Sequence, residues 1–272
     1  MEVLTSLQNS KVKTWASLKE RKYRKQYKSY LVEGLRSVEV YVEQGVPLEA
    51  ILIDPYGHQT ERAYEIADLA EAAGVRIYEM ESHLFKHITD TEHPQGIVAV
   101  AKIPEQDVSV LQPDRSGSGC QDVVVVADQI GDPGNLGTII RSADAVNARA
   151  VVALKGSADP YQPKVVRTAM GSLARMPVLE LEAVDALTTL AALGYRRLGA
   201  DARRGESLFA ANLSEPIAFF VGNETGGLSS DVENSMEGFL ALPMPGGAES
   251  LNAGVASSIL LYEALRHRID MN

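Results

Sequence analysis

The chain has 272 residues, enough for one large or two medium domains with ample core. Hydrophobic residues make up 45% and charged residues 23%, and no apolar run approaches membrane-span length, which excludes disordered and membrane-spanning classes. A single cysteine, Cys120, excludes internal disulfides and cysteine-based zinc modules, and a net charge of −10 argues on average against a nucleic-acid partner.

That average hides a basic strip. The N-terminus MEVLTSLQNSKVK has no signal-peptide apolar region, so a cytoplasmic location is expected. Lys11 to Lys28 reads KVKTWASLKERKYRKQYK, a net +7 that leaves −17 on the remainder. Trp15, Tyr23, Tyr27 and Tyr30 are interleaved with the cations. Such a strip attracts phosphates, and aromatic faces stack on unpaired bases. The competing reading is a solvated amphipathic helix; the charge asymmetry favours RNA or DNA contact.

From Ser29 strands and helices alternate. Strands are predicted at Tyr30–Val32, Ala50–Ile53, Val75–Tyr78 and Gly96–Ala101, and helices at Leu35–Gln44, Glu61–Ala73 and Ser82–His87. This is an α/β domain over residues 1–103. His83, His87 and His93 lack a cysteine partner and a His-Glu-x-x-His pattern, so no metal is expected. Residues 104–121, rich in Pro, Gly, Ser and charge, read as a linker.

A second domain is predicted over residues 122–272. Asp122–Ala127 (DVVVVA) is a β-branched run typical of a strand buried on both faces. It leads into Gly131-Asp132-Pro133-Gly134-Asn135, with a helix beginning near Asn135. The glycines admit a nucleotide loop, but the Walker and Gly-x-Gly-x-x-Gly spacings are absent. Asn135 and Arg141 lie six apart and need not share a helix face; the plain alternative for Arg141 is a surface salt bridge. Strand Ala150–Leu154, helix Lys164–Leu173, a strand after Pro177, helix Val184–Leu193 and strand Tyr195–Ala200 follow. The alternation implies a parallel sheet with right-handed crossovers.

Two more loops stand out. Ile217–Val221 is an apolar strand ending in Gly222-Asn223-Glu224-Thr225-Gly226-Gly227, after which Leu228-Ser229 starts a short helix. Leu240–Leu242 is a strand end, Pro243–Gly247 a turn-rich loop, and Ser250-Leu251-Asn252 opens a helix with side chains suited to capping. In a parallel sheet, ligands bind beyond the carboxyl ends of the strands, where all three loops fall.

These residues resemble the SpoU, or TrmH-like, RNA 2′-O-ribose methyltransferases of the SPOUT superfamily. The match lies in Asn135-Leu136-Gly137-Thr138-Ile139-Ile140-Arg141, in Gly222-Asn223-Glu224-x-x-Gly227-Leu228-Ser229, and in Leu242-Pro243-Met244 through Ser250-Leu251-Asn252. Leu31-Val32-Glu33-Gly34 and Pro94-Gln95-Gly96-Ile97-Val98-Ala99 are similar to the L30e-like substrate-binding domain of that family. The resemblance implies a small L30e-like α/β domain followed by a parallel-sheet SPOUT domain with a C-terminal trefoil knot. It implies a homodimer through the catalytic domain, and S-adenosylmethionine as cofactor, held by backbone around Ala200, Gly222, Leu242, Ser250 and Leu251.

The implied reaction is attack of a ribose 2′-hydroxyl on the methyl carbon of the sulfonium, with alignment and removal of one proton left to the protein. The family assigns Arg141 to activating the hydroxyl. A guanidinium stays protonated, so Arg141 reads better as a clamp on the target phosphate that stabilises the developing alkoxide. Asn135, Glu224, Ser250 and Asn252 are expected to orient ribose, cofactor and Arg141. Lys19, Arg21, Lys22, Arg24, Lys25 and Lys28 are expected to bind RNA. Lys164 and Arg167 either hold the RNA backbone or are solvated charge. The L30e-like domain points to 23S ribosomal RNA ahead of transfer RNA. A non-catalytic RNA-binding protein that kept the fold and a SPOUT enzyme acting on a base are the competing classes.

Overall fold

In the computed structural model, which describes every residue except 58, 117, 224 and 270–272, the chain divides into two units. The first comprises Met1–Glu105 and Tyr161–Ala174, the second Gln106–Pro160 and Arg175–Asn272.

The first unit is built on a five-stranded sheet of β1 (Glu2–Leu4), β2 (Ser29–Glu33), β3 (Leu48–Ile53), β4 (Arg76–Met80) and β5 (Ile97–Lys102). Their order is β1-β4-β3-β5-β2, with β5 antiparallel to both β2 and β3. Helices α1 (Ser10–Ser17), α2 (Arg21–Tyr27), α3 (Leu35–Glu43), α4 (Thr60–Ala72) and α5 (Ser82–Ile88) complete this stretch. The basic strip is therefore two short helices, not one. Asn9 caps α1, accepting from the Lys11 backbone N–H at 2.8 Å. Val12, Trp15 and Leu18 form one apolar face that joins the core with Leu52, Tyr78 and Phe85.

The second unit starts with β6 (Val123–Ala127), buried throughout as its β-branched run requires. It continues through α6 (Pro133–Ala145) and β7 (Ala150–Leu154). The chain then contributes α7 (Pro163–Ala169) to the first unit. There Tyr161 packs on Tyr30 with ring centroids 4.8 Å apart. The predicted helix Lys164–Leu173 is cut short at Ala169, because Met170 and Gly171 take φ of 50° and 89°. After it come β8 (Val178–Leu181), α8 (Ala183–Ala192), β9 (Arg196–Asp201), β10 (Glu206–Ser207), β11 (Ile217–Val221), α9 (Ser230–Glu233), β12 (Gly238–Ala241) and α10 (Ala253–Ile269).

The second sheet has the order β10-β12-β9-β11-β6-β7-β8, and every pairing in it is parallel. From β6 the chain winds outward through β7 and β8, then crosses to β9, β11 and β12 on the other side. That reversal is the topological switch at which α/β sheets bind ligands.

The segment expected as a linker, 104–121, differs in the structure. Val108–Leu111 forms a 3-10 helix, and Leu111 and Cys120 are fully buried. Tyr195 also ties the segment down, its hydroxyl donating to the Leu111 carbonyl at 2.8 Å. A few apolar side chains among the Pro, Gly and Ser residues suffice to anchor it. No helix among the described residues is long and apolar enough to cross a membrane.

Candidate active site

Because the second sheet is parallel, the loops after Ala127, Val221 and Ala241 leave it at one edge. A cavity of about 520 Å³ opens there, within the roughly 300–1,000 Å³ of small-molecule sites. Ala200, Gly222, Leu242, Ser250 and Leu251 all line it, supplied by the ends of β9, β11 and β12 and the approach to α10. These are the five positions expected to hold a cofactor.

The glycine turn after β11 is shaped by close approach. A Cβ on Gly222 would stand 2.1 Å from the carbonyl carbon and oxygen of Gly227, so only glycine leaves room for the returning loop. Asn223 fixes the turn, its Oδ1 accepting from the N–H groups of Thr225 (3.0 Å) and Gly226 (2.7 Å). Glu224 lies outside the described residues.

The first and third motifs meet through two helix starts. Asp132 caps α6, with Pro133 opening the helix, and accepts from the Asn135 N–H at 2.9 Å. Asn252 caps α10, its Oδ1 accepting from Gly254 (3.1 Å) and Val255 (3.2 Å). Its Nδ2 donates to Asn135 Oδ1 at 2.7 Å, so residues 117 apart in sequence form one amide pair. The helices lie close: a Cβ on Gly254 would reach 3.0 Å from Thr138 Cβ, and Ser142 and Ser258 are hydrogen bonded at 2.7 Å.

Arg141 stands on α6, exposed, while Asn135 on the same helix is buried. Among the described residues the Arg141 guanidinium makes no hydrogen bond or ion pair. The surface salt bridge considered from the sequence is therefore not formed, and the cation is available to a ligand. Arg141 and Asn135 are not part of the cavity lining, whereas Ser250 is. The structure thus separates the cavity from an adjoining polar group of Asn135 and Asn252.

Sequence reasoning does not single out several of the lining residues. Arg204 lies over the Phe239 ring, 3.8 Å from its centroid, and donates to Asp201 Oδ2 at 2.9 Å. Burial pushes the Asp201 carboxyl up, but donors from Arg203 and Arg204 outweigh it and hold the group below the usual carboxylate range. Asp128 is buried and accepts from the Ser229 N–H at 2.7 Å, joining the first loop to the second. The available signal is position: Asp128 and Asp201 each occur where a parallel strand ends.

The expected RNA contacts need correction at Arg24. It is 3% exposed, and its Nη1 donates to the carbonyls of Leu18 (2.8 Å) and Lys19 (2.7 Å), holding the chain between α1 and α2. A guanidinium so used is not open to phosphate. Lys19 is half-buried and donates to the carbonyls of His87 (2.7 Å) and Thr89 (3.3 Å). Trp15 and Tyr30 are core residues, packed on Tyr78 and Tyr41, and offer no face to a base. Arg21, Lys22, Lys25 and Lys28 are exposed, with Tyr23 and Tyr27 stacked beside them at 6.3 Å. Lys164 is exposed, and Arg167 pairs with Asp90 at 2.8 Å; both belong to the first unit.

Fold and site together define an α/β protein whose second, parallel sheet carries a cavity of small-ligand size at its switch point. The model of the SpoU rRNA Methylase family matches residues 122–262, and that of the MRM3-like substrate binding domain matches residues 9–99. The chain belongs to the SpoU rRNA methylase family. It is 32% identical to the 23S rRNA (guanosine(2553)-2'-O)-methyltransferase RlmP of Bacillus subtilis, over 96% of this chain and 98% of that protein. Among solved structures, the SpoU methyltransferase AviRb from Streptomyces viridochromogenes in complex with the cofactor AdoMet superposes with a TM-score of 0.82. It is 32% identical and covers 96% of this chain and 99% of that one. The AdoMet-bound rRNA methyltransferase from Sinorhizobium meliloti has a TM-score of 0.85 and 27% identity, with 98% of each chain covered.

Proposed function

We propose that this chain is an S-adenosylmethionine-dependent RNA methyltransferase that methylates a ribose 2′-hydroxyl in 23S ribosomal RNA. The observation that carries the reading is the convergence of Ala200, Gly222, Leu242, Ser250 and Leu251 on one cavity, beside the Asn135–Asn252 pair. The cavity suits S-adenosylmethionine in size, and the Gly222 turn brings loop backbone where a side chain would otherwise stand. Bound there, the cofactor would supply a methyl group on a positively charged sulfur, an electrophile that needs no metal.

What remains for the protein is alignment and management of one proton. Arg141, exposed and without a protein partner among the described residues, grips the phosphate of the target nucleotide and stabilises the alkoxide as it develops. A guanidinium gives up its proton too reluctantly to act as base, so the proton passes to a phosphate oxygen or water. Asn135 and Asn252, each anchored at a helix start, orient the ribose; Ser250 and Glu224 complete the set. The exposed cations Arg21, Lys22, Lys25 and Lys28 supply long-range attraction to RNA that the acidic chain otherwise lacks. The family's trefoil knot and homodimer, formed through the second unit, belong to the same proposal.

The test is product chemistry. Unmodified 23S rRNA is incubated with the protein and methyl-labelled cofactor, then hydrolysed in alkali. A 2′-O-methyl group blocks cleavage at its own nucleotide, so the label is expected in an alkali-resistant dinucleotide. Label in an alkali-released mononucleotide, which places the methyl on a base, or acceptance by transfer RNA alone, would replace this reading.

A further inference from the structure

One residue at the carboxyl edge of the second sheet is held in a conformation that its side chain disfavours. Gln129, directly after β6, has a φ of 53°, in the left-handed region that residues with a Cβ enter only at a steric cost. Lys28, Asn147 and Met170 share that conformation, but each follows a helix, where it is ordinary. Gln129 closes no helix. Its side chain is exposed and makes no hydrogen bond among the described residues, so the restraint comes from its neighbours.

Two clasps supply it. On one side, Asp128 donates its N–H to the Val221 carbonyl at 2.9 Å, and its Oδ2 accepts from the Ser229 N–H at 2.7 Å. On the other, the Ser157 hydroxyl donates to the Ala127 carbonyl at 2.9 Å and accepts from the Ile130 N–H at 3.1 Å. One hydroxyl thus closes over Asp128 and Gln129 together. The Ile130 carbonyl accepts from the Ala158 N–H at 2.8 Å, and the Ile130 side chain is buried. Two residues on, Asp132 caps α6 and holds the Asn135 N–H. Where Ile130 is fixed, the start of α6 is fixed, and with it Asn135 and Arg141. Strain of this kind persists only where the surroundings over-determine it, and it concentrates at functional sites.

We infer that Ser157 is a positioning residue for methyl transfer: its hydroxyl holds Gln129 in the left-handed conformation and so presets the start of α6 for the target ribose. The inference rests on the methyltransferase reading above. Gln129, Ile130 and Ser157 are not part of the lining of the cavity where the cofactor is proposed to bind, so cofactor affinity and turnover should separate.

The experiment measures single-turnover methyl transfer to 23S rRNA and S-adenosylmethionine affinity on the full chain. Ser157→Ala is expected to slow transfer about ten- to hundredfold, as a misplaced catalytic group does, with cofactor affinity within about twofold of wild type. Adding Gln129→Gly is expected to recover at least about tenfold of that loss, because glycine takes a positive φ without the clasp. Gln129→Val, with Ser157 intact, raises the cost of the conformation and is expected to slow transfer, whereas Gln129→Gly alone leaves it within about threefold. A Ser157→Ala loss that glycine does not recover belongs to a merely structural serine and would overturn the inference. So would wild-type rates in Ser157→Ala, or an equal loss of cofactor affinity. If Ser157→Ala does not fold, Gln129→Val decides, and a wild-type rate there is the overturning result. Amide exchange at Asn135 reads the same geometry without turnover: Ser157→Ala is expected to lose protection and the double variant to regain it, and unchanged exchange would overturn the inference. A wild type that transfers no methyl would sink the methyltransferase reading, and the exchange data would then judge the clasp by itself.

Discussion

Gly222→Ala tests the cofactor site by geometry alone. The added methyl would lie 2.1 Å from Gly227 carbon and oxygen and 2.5 Å from the Leu228 nitrogen. Carbon atoms in contact sit about 3.5–4.0 Å apart, so the facing backbone must retreat by more than about 1 Å. Overpacking of this kind costs about 1–3 kcal/mol. Thr225, Gly226 and Gly227 are exposed, so the loop can shift without disturbing β11, and the lower figure applies. The melting temperature should fall by about 2–4 °C. Binding should suffer more, because a shift of this size would break the backbone hydrogen bonds by which the loop is proposed to hold the cofactor. Two such bonds, at about 1 kcal/mol each, correspond to about thirtyfold weaker S-adenosylmethionine affinity. Gly226→Ala is the control: its nearest neighbour would be Asn223 Oδ1 at 3.5 Å, an ordinary contact. Calorimetric titration and a thermal scan on both variants give the answer. If Gly222→Ala bound the cofactor within twofold of wild type, the loop would not be the cradle and the cofactor would lie elsewhere.

Arg141→Ala should abolish methyl transfer while S-adenosylmethionine affinity stays within twofold, and Arg141→Lys should also fail because a point charge does not replace a planar fork; near-normal turnover by the lysine variant in a single-turnover assay would refute the clamp. Neutralising Arg21, Lys22, Lys25 and Lys28 should flatten the salt dependence of RNA binding by about 0.7–0.9 in slope per lost contact, with melting temperature unchanged. Arg24→Ala should instead lower stability by about 1–3 kcal/mol by leaving the Leu18 and Lys19 carbonyls unpaired, read as a shift in the urea midpoint. Burial pushes the Cys120 thiol up to about 11, so at pH 7 only about one thiol in ten thousand is thiolate. Iodoacetamide should therefore label the native protein only as fast as it opens.

What is legible in the sequence, and what it conceals, divides along physical lines. Buried parallel strands announce themselves because both faces need apolar side chains: the strands predicted at Asp122–Ala127 and Ile217–Val221 lie within a residue of the observed bounds. The loops that line the cavity are legible because glycine, proline and capping residues are confined to the places where backbone must turn or approach closely. Which sheet a helix packs against has no such local signature. Nothing in PKVVRTA distinguishes a helix on the second sheet from one beside β2, so the assignment of α7 to the first unit comes only from the fold.

The basic strip shows the same boundary within one segment. A count of charges treats Arg24 and Lys25 alike, yet one carries the chain between two helices and the other faces solvent. The spacing of Val12, Trp15 and Leu18 marks the buried face of α1, and that spacing by itself is enough to put Trp15 in the core. No corresponding apolar stripe exists in RKYRKQY, so the inward turn of Arg24 follows from the carbonyls left open at the end of α1, a hydrogen-bonding demand that side-chain periodicity does not record.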